Sequence, residues 1–273
     1  MTDKYAVIGN PIGHTKSPLI QGMFARSTGR DIEYTAILGP LGEFTSTVDA
    51  FRASGGRGMN VTAPFKLDAF AYSTRLSERA RLAGAVNAMK FEGKQVFAEN
   101  FDGAGLVNDI QRNLGVALAG KRVLLLGAGG AARGALLPFL EQTPALLAIA
   151  NRTVAKADAL AEEVRLMGSV ISGGYSDFAN DRFDVVVNAT SASLTGDLPP
   201  VSPNVFKSDG LAYELVYGKG LTPFLRLARN AGVGRFADGV GMFVEQAAEA
   251  FAWWHGVRPD TRVVINDLTV PLV

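Results

Sequence analysis

The sequence contains no cysteine and only two histidines, His14 and His255, among its 273 residues. Disulfide bonds, thiolate chemistry and cysteine-based zinc sites are therefore excluded, and two distant histidines are too few to form a metal cage. An excess of charge of either sign is also missing, since 27 basic residues stand against 26 acidic ones. We therefore expect no metal, and no nucleic acid or membrane as a partner.

Long apolar runs are missing as well. No stretch is long enough to span a bilayer, and no apolar signal core precedes a small-residue cleavage site near the first residues, so we expect a cytoplasmic protein. The residues that are present, 48% hydrophobic and 19% charged, are typical of a compact globular protein. At 273 residues the chain exceeds the usual size of one hydrophobic core, which predicts two domains.

Short apolar runs alternate with helical patterns along the chain, which predicts an α/β fold. In the first part we expect Ser17 as the N-cap of a helix that ends at Gly29. The strands expected in this part are 4–9, 32–38 and 57–61, with a helix at 43–53, a hairpin at 86–91 and 94–99, and a helix at 102–114. The strands expected in the second part are fully apolar and predict a buried parallel sheet: 123–126, 145–150, 170–172, 184–188 and 211–216.

A glycine-rich turn at Val123–Arg133 runs from an apolar strand into a helix, which is the context of the Rossmann fingerprint. Gly127 permits the tight turn, Gly129 lets the backbone approach a pyrophosphate, and the small Ala132 allows close helix packing. The helix N-terminus offers N–H groups to the anion. The alternative is an ordinary glycine-rich turn, but the position on the first strand of the parallel unit favours a dinucleotide.

The end of the second strand of this unit indicates which dinucleotide is bound. NAD-specific folds place an acidic residue there, which accepts a hydrogen bond from the ribose 2′-hydroxyl. This chain has Asn151-Arg152-Thr153 instead, with Lys156 close by. The guanidinium of Arg152 suits a 2′-phosphate, so the sequence predicts NADP rather than NAD, unless Arg152 is only a solvated surface charge.

Four polar clusters stand in the first part of the chain. They are Asn10-Pro-Ile-Gly-His14-Thr15-Lys16-Ser17-Pro18, Asn60-Val-Thr62-Ala-Pro64-Phe-Lys66, Gly84-Ala-Val-Asn87 and Asn100-Phe101-Asp102-Gly103. In this order, followed by the glycine turn, by Asn-Arg-Thr and by Ala237-Asp-Gly-Val-Gly-Met242, the sequence resembles the shikimate dehydrogenase family over essentially its whole length. A lone glycine motif would not support this resemblance.

The resemblance implies reversible hydride transfer between NADP and C3 of shikimate, giving 3-dehydroshikimate, in aromatic amino-acid biosynthesis. It places Lys66 in the general acid/base role with Asp102 beside it. A protonated Lys66 can donate a proton in the reduction direction, whereas oxidation needs a free base or a relay through Asp102. The residues alone leave this protonation route open, and they also allow a surface Lys66 with Asp102 as a helix cap.

The resemblance also assigns binding residues. It implies that Thr15, Ser17 and Tyr217 hold the substrate carboxylate, while Thr62, Asn87, Asp102 and Gln246 meet the ring hydroxyls and Lys66. The cofactor contacts expected are Gly127, Ala128, Gly129, Gly130, Ala131, Asn151, Arg152, Thr153, Lys156, Thr190, Leu215, Gly239 and Met242. Individually, some of these residues have simpler interpretations, with Ser17 as a helix cap, Asn87 satisfying a turn and Gln246 as a solvated helix residue.

The domains follow from these assignments. We expect a substrate-binding catalytic domain at 1–103, a Rossmann-type parallel-sheet NADP domain at 104–237, and an active site in the cleft between them. A C-terminal helical segment at 238–273 is expected to pack back on the first domain. The expected partner is a small polyol acid, and the expected assembly is a monomer or a homodimer.

Several residues depart from the family pattern. Thr15 replaces a serine and adds a methyl group, and Phe101 replaces a threonine with a ring that either narrows the pocket or packs away from it. Glu214 replaces an aspartate, and the segment Asn188-Ala-Thr-Ser191-Ala-Ser-Leu194 lacks a glycine common in the family. These differences predict a divergent member and keep open a quinate or aminoshikimate dehydrogenase, or a non-catalytic NADP-binding regulator.

Overall fold

The computed structural model describes residues 2–272, which form two compact units. One unit contains residues 2–105 and 244–267, and the other contains 106–243 and 268–272. The sequence placed the divisions after residues 103 and 237 and assigned everything beyond 237 to one segment. The structure divides that segment between the units, because a single helix, Val240–His255, runs through the division at residue 243. None of the described helices is long and apolar enough to cross a membrane.

The first unit is built on a six-stranded mixed sheet in the order β2-β1-β3-β5-β6-β4. Its strands are β1 (Asp3–Gly9), β2 (Ile32–Leu38), β3 (Gly56–Val61), β4 (Arg75–Leu76), β5 (Ala88–Glu92) and β6 (Gln95–Glu99). β1 pairs in parallel with β2 and β3, whereas β5 and β6 form the expected antiparallel hairpin, which turns at Gly93 with a φ of 59°. The two-residue strand β4 was not predicted, because so short a segment carries no periodicity.

Five helices begin in this part of the chain: α1 (Ser17–Thr28), α2 (Phe44–Ala53), α3 (Lys66–Tyr72), α4 (Glu78–Ala83) and α5 (Asp102–Asn108). α1 ends at Gly29 as predicted, with a φ of 66°. The prediction that Ser17 caps this helix is wrong. The N-cap is Lys16, whose backbone is already helical (φ −94°, ψ −2°), so that Ser17 is the first helical residue. A π-helical turn at Asp109–Asn113 continues α5, and together they form the helix expected at 102–114.

The second unit contains a six-stranded sheet in the order β12-β11-β10-β7-β8-β9, in which every pairing is parallel. Its strands are β7 (Arg122–Leu126), β8 (Leu146–Ala150), β9 (Val170–Gly173), β10 (Phe183–Asn188), β11 (Phe206–Glu214) and β12 (Arg235–Ala237). The buried parallel sheet predicted from the apolar runs is confirmed. β11 begins five residues before the predicted start, because exposed polar residues at 208–209 interrupt its apolar pattern.

The remaining helices are α6 (Gly130–Leu140), α7 (Val154–Val164), α8 (Pro223–Asn230), α9 (Val240–His255) and α10 (Arg262–Leu268). Within the second unit, β7 and β10 lie side by side at the centre of the sheet, and the strand order runs outward from them in both directions. This is the switch point of a doubly wound sheet, where the segments after the two central strands leave room for a ligand. The glycine turn follows β7 and the segment beginning at Ala189 follows β10.

Candidate active site

The first unit contains an ion pair between Lys66 at the start of α3 and Asp102 at the start of α5. The distance from Lys66 Nζ to Asp102 Oδ2 is 2.5 Å, and the two side chains are 33% and 20% exposed. Both groups are thus partly shielded from water yet open to a small molecule. The structure therefore brings together the two residues to which the resemblance gives the proton-transfer role.

Asn87 fixes the orientation of this carboxylate. Its Nδ2 donates to Asp102 Oδ1 at 2.8 Å, and its Oδ1 accepts from the backbone N–H of Phe101 at 2.9 Å. Asn100 Oδ1 accepts from the backbone N–H of Asp102 at 3.1 Å. Because each carboxylate oxygen has its own donor, Asp102 is held in one orientation with Lys66 on one side and Asn87 on the other.

Three hydroxyl-bearing residues follow the neighbouring strands β1 and β3. Thr62 comes directly after β3, and Thr15 and Ser17 follow β1, so the parallel pairing of these strands brings the segments to one edge of the sheet. Thr15 Oγ1 donates to Ser17 Oγ at 3.1 Å and accepts from the Ser17 backbone N–H at 3.2 Å. Gly9 permits the close approach of the segments, because a Cβ there would lie 2.5 Å from Thr62 Cγ2.

Phe101 lies in the core of the first unit and is 3% exposed. Its ring meets the edge of Trp253 at a centroid distance of 5.8 Å, and the Arg79 guanidinium lies 5.7 Å from the same ring. The sequence left open whether this ring narrows the substrate pocket or packs away from it. In the structure it packs into the core.

The other two predicted substrate residues are Gln246 and Tyr217. Gln246 lies half-buried on α9 in the part that belongs to the first unit. Tyr217 belongs to the second unit, where its ring stacks on Phe243 with a centroid distance of 5.1 Å and an interplanar angle of 14°. Burial raises the pKa of the Tyr217 phenol, and the nearby carboxylate of Asp238 raises it further. A phenol is protonated at neutral pH even at its ordinary pKa, so Tyr217 can donate a hydrogen bond.

A cavity of about 860 Å³ lies within the second unit at the switch point of the parallel sheet. The predicted cofactor residues that line it are Gly127, Ala128, Gly129, Gly130, Ala131, Asn151, Arg152 and Thr190. Gly127 has a φ of 108°, and a Cβ there would lie 3.2 Å from the carbonyl oxygen of Ala189, so only glycine fits. A Cβ at Gly129 or Gly130 would meet no atom within 4 Å. The N-terminus of α6 is thus open to a pyrophosphate.

The residues beside β8 suit the 2′-phosphate end of NADP. Arg152 and Lys156 are exposed, and Thr153 is the N-cap of α7 without a side-chain hydrogen bond to the helix. Asn151 Nδ2 donates to the Thr153 carbonyl at 2.9 Å, which holds the turn between β8 and α7. Arg152 stands in the turn between β8 and α7 and Lys156 in the first turn of α7, so two cations close to a helix N-terminus fit a phosphorylated dinucleotide.

Five predicted cofactor residues lie outside the lining of this cavity: Thr153, Lys156, Leu215, Gly239 and Met242. Leu215 and Gly239 are in contact with each other, because a Cβ at Gly239 would lie 2.2 Å from the Leu215 carbonyl oxygen. The Met242 backbone N–H donates to the hydroxyl of Tyr213 at 3.2 Å. Leu215 and Gly239 therefore lie next to each other, although they belong to different segments of the second unit.

Part of the cavity lining was not predicted from the sequence. Tyr175 after β9 and the segment 191–200 after β10 also border the cavity. A signal for them existed, because the residues that follow adjacent parallel strands share one edge of the sheet.

A doubly wound sheet with an open glycine turn, an adjoining arginine and, in the other unit, a lysine–aspartate pair defines a Rossmann-type, dinucleotide-dependent oxidoreductase.

Comparison with known proteins identifies the family. Residues 7–89 match the shikimate dehydrogenase substrate binding domain, 109–195 the shikimate / quinate 5-dehydrogenase domain, and 239–268 the shikimate 5'-dehydrogenase C-terminal domain. A shikimate dehydrogenase (NADP(+)) from Nitrosospira multiformis is 56% identical over 268 residues, which cover 98% of each chain. This chain belongs to the shikimate dehydrogenase family, and the resemblance deduced from the motifs is confirmed.

Solved structures agree with this assignment. An Ael1 enzyme from Pseudomonas putida is 60% identical, with a TM-score of 0.95 and 100% of each chain covered. A shikimate 5-dehydrogenase from Thermus thermophilus, solved in complex with NADP(H) and shikimate, is 31% identical, with a TM-score of 0.85 and coverage of 97% of this chain and 98% of that one.

Proposed function

We propose that this protein is an NADP-dependent shikimate dehydrogenase, which interconverts shikimate and 3-dehydroshikimate by hydride transfer in aromatic amino-acid biosynthesis. The observation that carries the proposal is the pair of Lys66 and Asp102, whose Nζ and Oδ2 atoms lie 2.5 Å apart while Asn87 holds the other carboxylate oxygen. The names of the curated relatives and the NADP(H) and shikimate bound to the Thermus thermophilus protein support it.

Lys66 and Asp102 would handle the proton of the reacting hydroxyl. When bound, NADP supplies the hydride acceptor for oxidation, and its reduced form supplies the donor for reduction. In reduction, the Lys66 ammonium donates a proton to the carbonyl oxygen of the substrate. In oxidation, the hydroxyl proton passes to the neutral amine form of Lys66, directly or by way of Asp102. Asn87 keeps the carboxylate turned toward Lys66 in both directions.

Neutral hydroxyl groups would bind the substrate carboxylate. Thr15 and Ser17 already share a hydrogen bond, and the Tyr217 phenol is protonated at neutral pH and can donate another. The ring hydroxyls would be bound by Thr62, Asn87, Asp102 and Gln246. Neutral donors and acceptors at fixed positions suit a small polyol acid, because they recognise its hydroxyls without adding competing charges.

The cofactor would lie along the carboxyl edge of the parallel sheet. Gly127, Ala128, Gly129, Gly130 and Ala131 would accommodate the pyrophosphate, and Asn151, Arg152, Thr153 and Lys156 the 2′-phosphate. Thr190, Leu215, Gly239 and Met242 would border the nicotinamide end.

Two observations favour shikimate over related substrates. Phe101 packs in the core, so this departure from the family pattern removes a hydroxyl without placing a ring among the polar groups. The methyl group of Thr15 leaves less room for the additional hydroxyl that quinate carries near its carboxylate. A non-catalytic regulator is a weaker alternative, because it would have no use for the Lys66–Asp102 pair.

Turnover by the purified protein tests the proposal. Shikimate, quinate and an amino-substituted shikimate are each offered with NADP⁺ and with NAD⁺, and formation of the reduced nicotinamide is followed by absorbance. We expect the highest kcat/KM for shikimate with NADP⁺. Failure to form NADPH from shikimate would contradict the proposal, and a higher kcat/KM for quinate or the amino-substituted compound would assign the protein to that substrate instead.

The cytoplasmic location and the monomeric or homodimeric state stay predictions. Cell fractionation checks the location, because the protein should remain with the supernatant after membranes are removed. Light scattering during gel filtration checks the assembly, for which we expect the mass of one or two chains of 28.9 kDa.

A further inference from the structure

A fully buried carboxylate, Glu214, ends strand β11 in the second unit. Its Oε2 accepts hydrogen bonds from Ser193 Oγ at 2.5 Å, Asn188 Nδ2 at 2.9 Å and Thr222 Oγ1 at 3.2 Å. Its Oε1 accepts from the backbone N–H of Val216 at 3.2 Å. Burial raises the pKa of this carboxyl, and the groups that oppose the rise are these four neutral donors. The site therefore buries an acid without a neutralising cation among those groups, which is costly for folding.

The four donors come from two stretches of the second unit, 188–193 and 216–222, and the first of these borders the cofactor cavity through Thr190, Ser191 and Ala192. Asn188 ends β10 and Ser193 lies in the segment after it, Val216 follows β11, and Thr222 is the N-cap of α8. Thr222 also accepts from the backbone N–H of Leu225 at 3.3 Å, so it is fixed to the first turn of that helix. Glu214 thus ties the end of β10 and the segment after it to the segment 214–222.

Asn188 transmits this constraint to the cavity wall. While its Nδ2 donates to Glu214, its Oδ1 accepts from both the backbone N–H of Thr190 at 3.1 Å and the Thr190 hydroxyl at 2.7 Å. Thr190 lines the cavity. Because the Asn188 amide uses both of its ends, a change in the acceptor at Glu214 is expected to reach Thr190 through a single side chain.

Leu215, which follows Glu214 in sequence, connects Glu214 to other residues expected at the nicotinamide end of the cofactor. The Leu215 backbone N–H donates to the Asn188 carbonyl at 3.0 Å, and the Leu215 carbonyl is the group that Gly239 approaches. Thr190, Leu215 and Gly239 are all expected to border the nicotinamide end of the cofactor. A single buried carboxylate therefore anchors both segments on which these residues lie.

We propose that Glu214, together with Ser193, is a positioning residue for NADP binding. Its carboxylate sets the conformation of the segments 188–194 and 214–222, in which the nicotinamide end of NADP is held. A glutamine would not replace it, because an amide offers one acceptor oxygen and turns an NH₂ group toward donors. The inference rests on the proposed NADP-dependent function, and it adds a residue that itself lies outside the cavity lining.

The positioning role of Glu214 is tested by measuring NADP⁺ binding rather than turnover. The variants are Glu214→Gln, Ser193→Ala and, as a matched control, Asp184→Asn. Asp184 lies near the opposite end of β10, where it accepts from Lys207 Nζ at 2.7 Å and from the Arg122 backbone N–H at 2.8 Å. NADP⁺ affinity is measured by calorimetry, stability by the thermal midpoint, and the order of segment 188–194 by amide hydrogen exchange.

We expect Glu214→Gln to weaken NADP⁺ binding by about tenfold, equivalent to about 1.4 kcal/mol, with faster exchange in segment 188–194. Ser193→Ala should weaken binding by a smaller factor, because it removes one donor and leaves the carboxylate. Asp184→Asn should lower the thermal midpoint and leave NADP⁺ affinity unchanged. This difference separates a positioning role from a general loss of stability.

The outcomes are distinguishable. If the unaltered protein does not bind NADP⁺, the proposed function fails. If it binds NADP⁺ and Glu214→Gln binds equally well, or if Asp184→Asn loses as much affinity as Glu214→Gln, only the role of Glu214 is overturned. Should Glu214→Gln not fold, Ser193→Ala decides the question, because unchanged affinity in this milder variant would overturn the inference.

Discussion

Asn87 holds the carboxylate of Asp102 on the oxygen that Lys66 does not contact. Asn87 Nδ2 lies 2.8 Å from Asp102 Oδ1, and Lys66 Nζ lies 2.5 Å from Oδ2. The Asn87 side chain also accepts from the backbone N–H of Phe101, so one amide fixes both the carboxylate and the chain at the start of α5. The sequence alone also allowed Asn87 to serve only a turn, whereas in the structure it orients the carboxylate that pairs with Lys66.

Replacing Asn87 by alanine should therefore affect both stability and catalysis. We expect the free energy of unfolding to fall by about 1–3 kcal/mol, because Asp102 Oδ1 and the Phe101 N–H lose their partner. We also expect kcat with shikimate to fall on the order of a hundredfold, because the carboxylate can turn away from Lys66. Urea denaturation and steady-state kinetics measure the two effects, and unchanged kcat in a destabilised variant would show a structural role alone.

Lys66→Ala should abolish most turnover while leaving NADP binding intact. Loss of a general acid/base group lowers the rate on the order of a hundredfold or more. Lys90→Ala is a matched control, because the Lys90 side chain is also 33% exposed and pairs with a carboxylate, Glu92, at 2.7 Å. Rates of NADPH formation and NADP⁺ affinity are measured for both variants. A Lys66→Ala enzyme as fast as the Lys90→Ala control would reject the acid/base assignment.

Arg152→Ala tests the preference for NADP over NAD. Hydrogen bonds to a charged group contribute about 1.5–3 kcal/mol, so NADP⁺ affinity should fall by roughly tenfold to a hundredfold while NAD⁺ affinity stays the same. Arg165→Ala serves as the control, because Arg165 follows α7 and its exposed guanidinium pairs with Glu162 at 2.6 Å. Equal loss of both cofactors, or an unchanged preference, would remove Arg152 from the 2′-phosphate site.

Phe101→Thr introduces the residue that the family pattern has at this position. Because the ring is buried against Trp253 and Arg79, its removal should leave a cavity and lower the free energy of unfolding by about 3 kcal/mol. We expect KM for shikimate to stay unchanged, since the ring packs in the core. Chemical denaturation and substrate titration check the two statements, and a lower KM in the variant would show that the ring restricts the substrate site.

The local features of this protein could be predicted from its sequence alone. The glycine turn after β7 could be predicted because a strand precedes it and a helix follows. The turn needs a glycine, since Gly127 adopts a φ of 108°, which other residues rarely adopt. The parallel strands were visible because residues buried on both faces form continuous apolar runs. The prediction that Arg152 binds the 2′-phosphate of NADP rests on its distance along the chain from that turn. Signals of this kind need only a few consecutive residues.

The tertiary structure decided which of the remaining residues meet. Phe101 stands directly before Asp102 in sequence, yet its ring contacts Trp253, which lies on a helix more than a hundred residues further along. Glu214 reaches Asn188 because β10 and β11 pair in a register that places these two residues side by side. A hydrogen bond between distant residues has no periodicity and no local conformational requirement, so only the tertiary structure shows that Glu214 contacts Asn188.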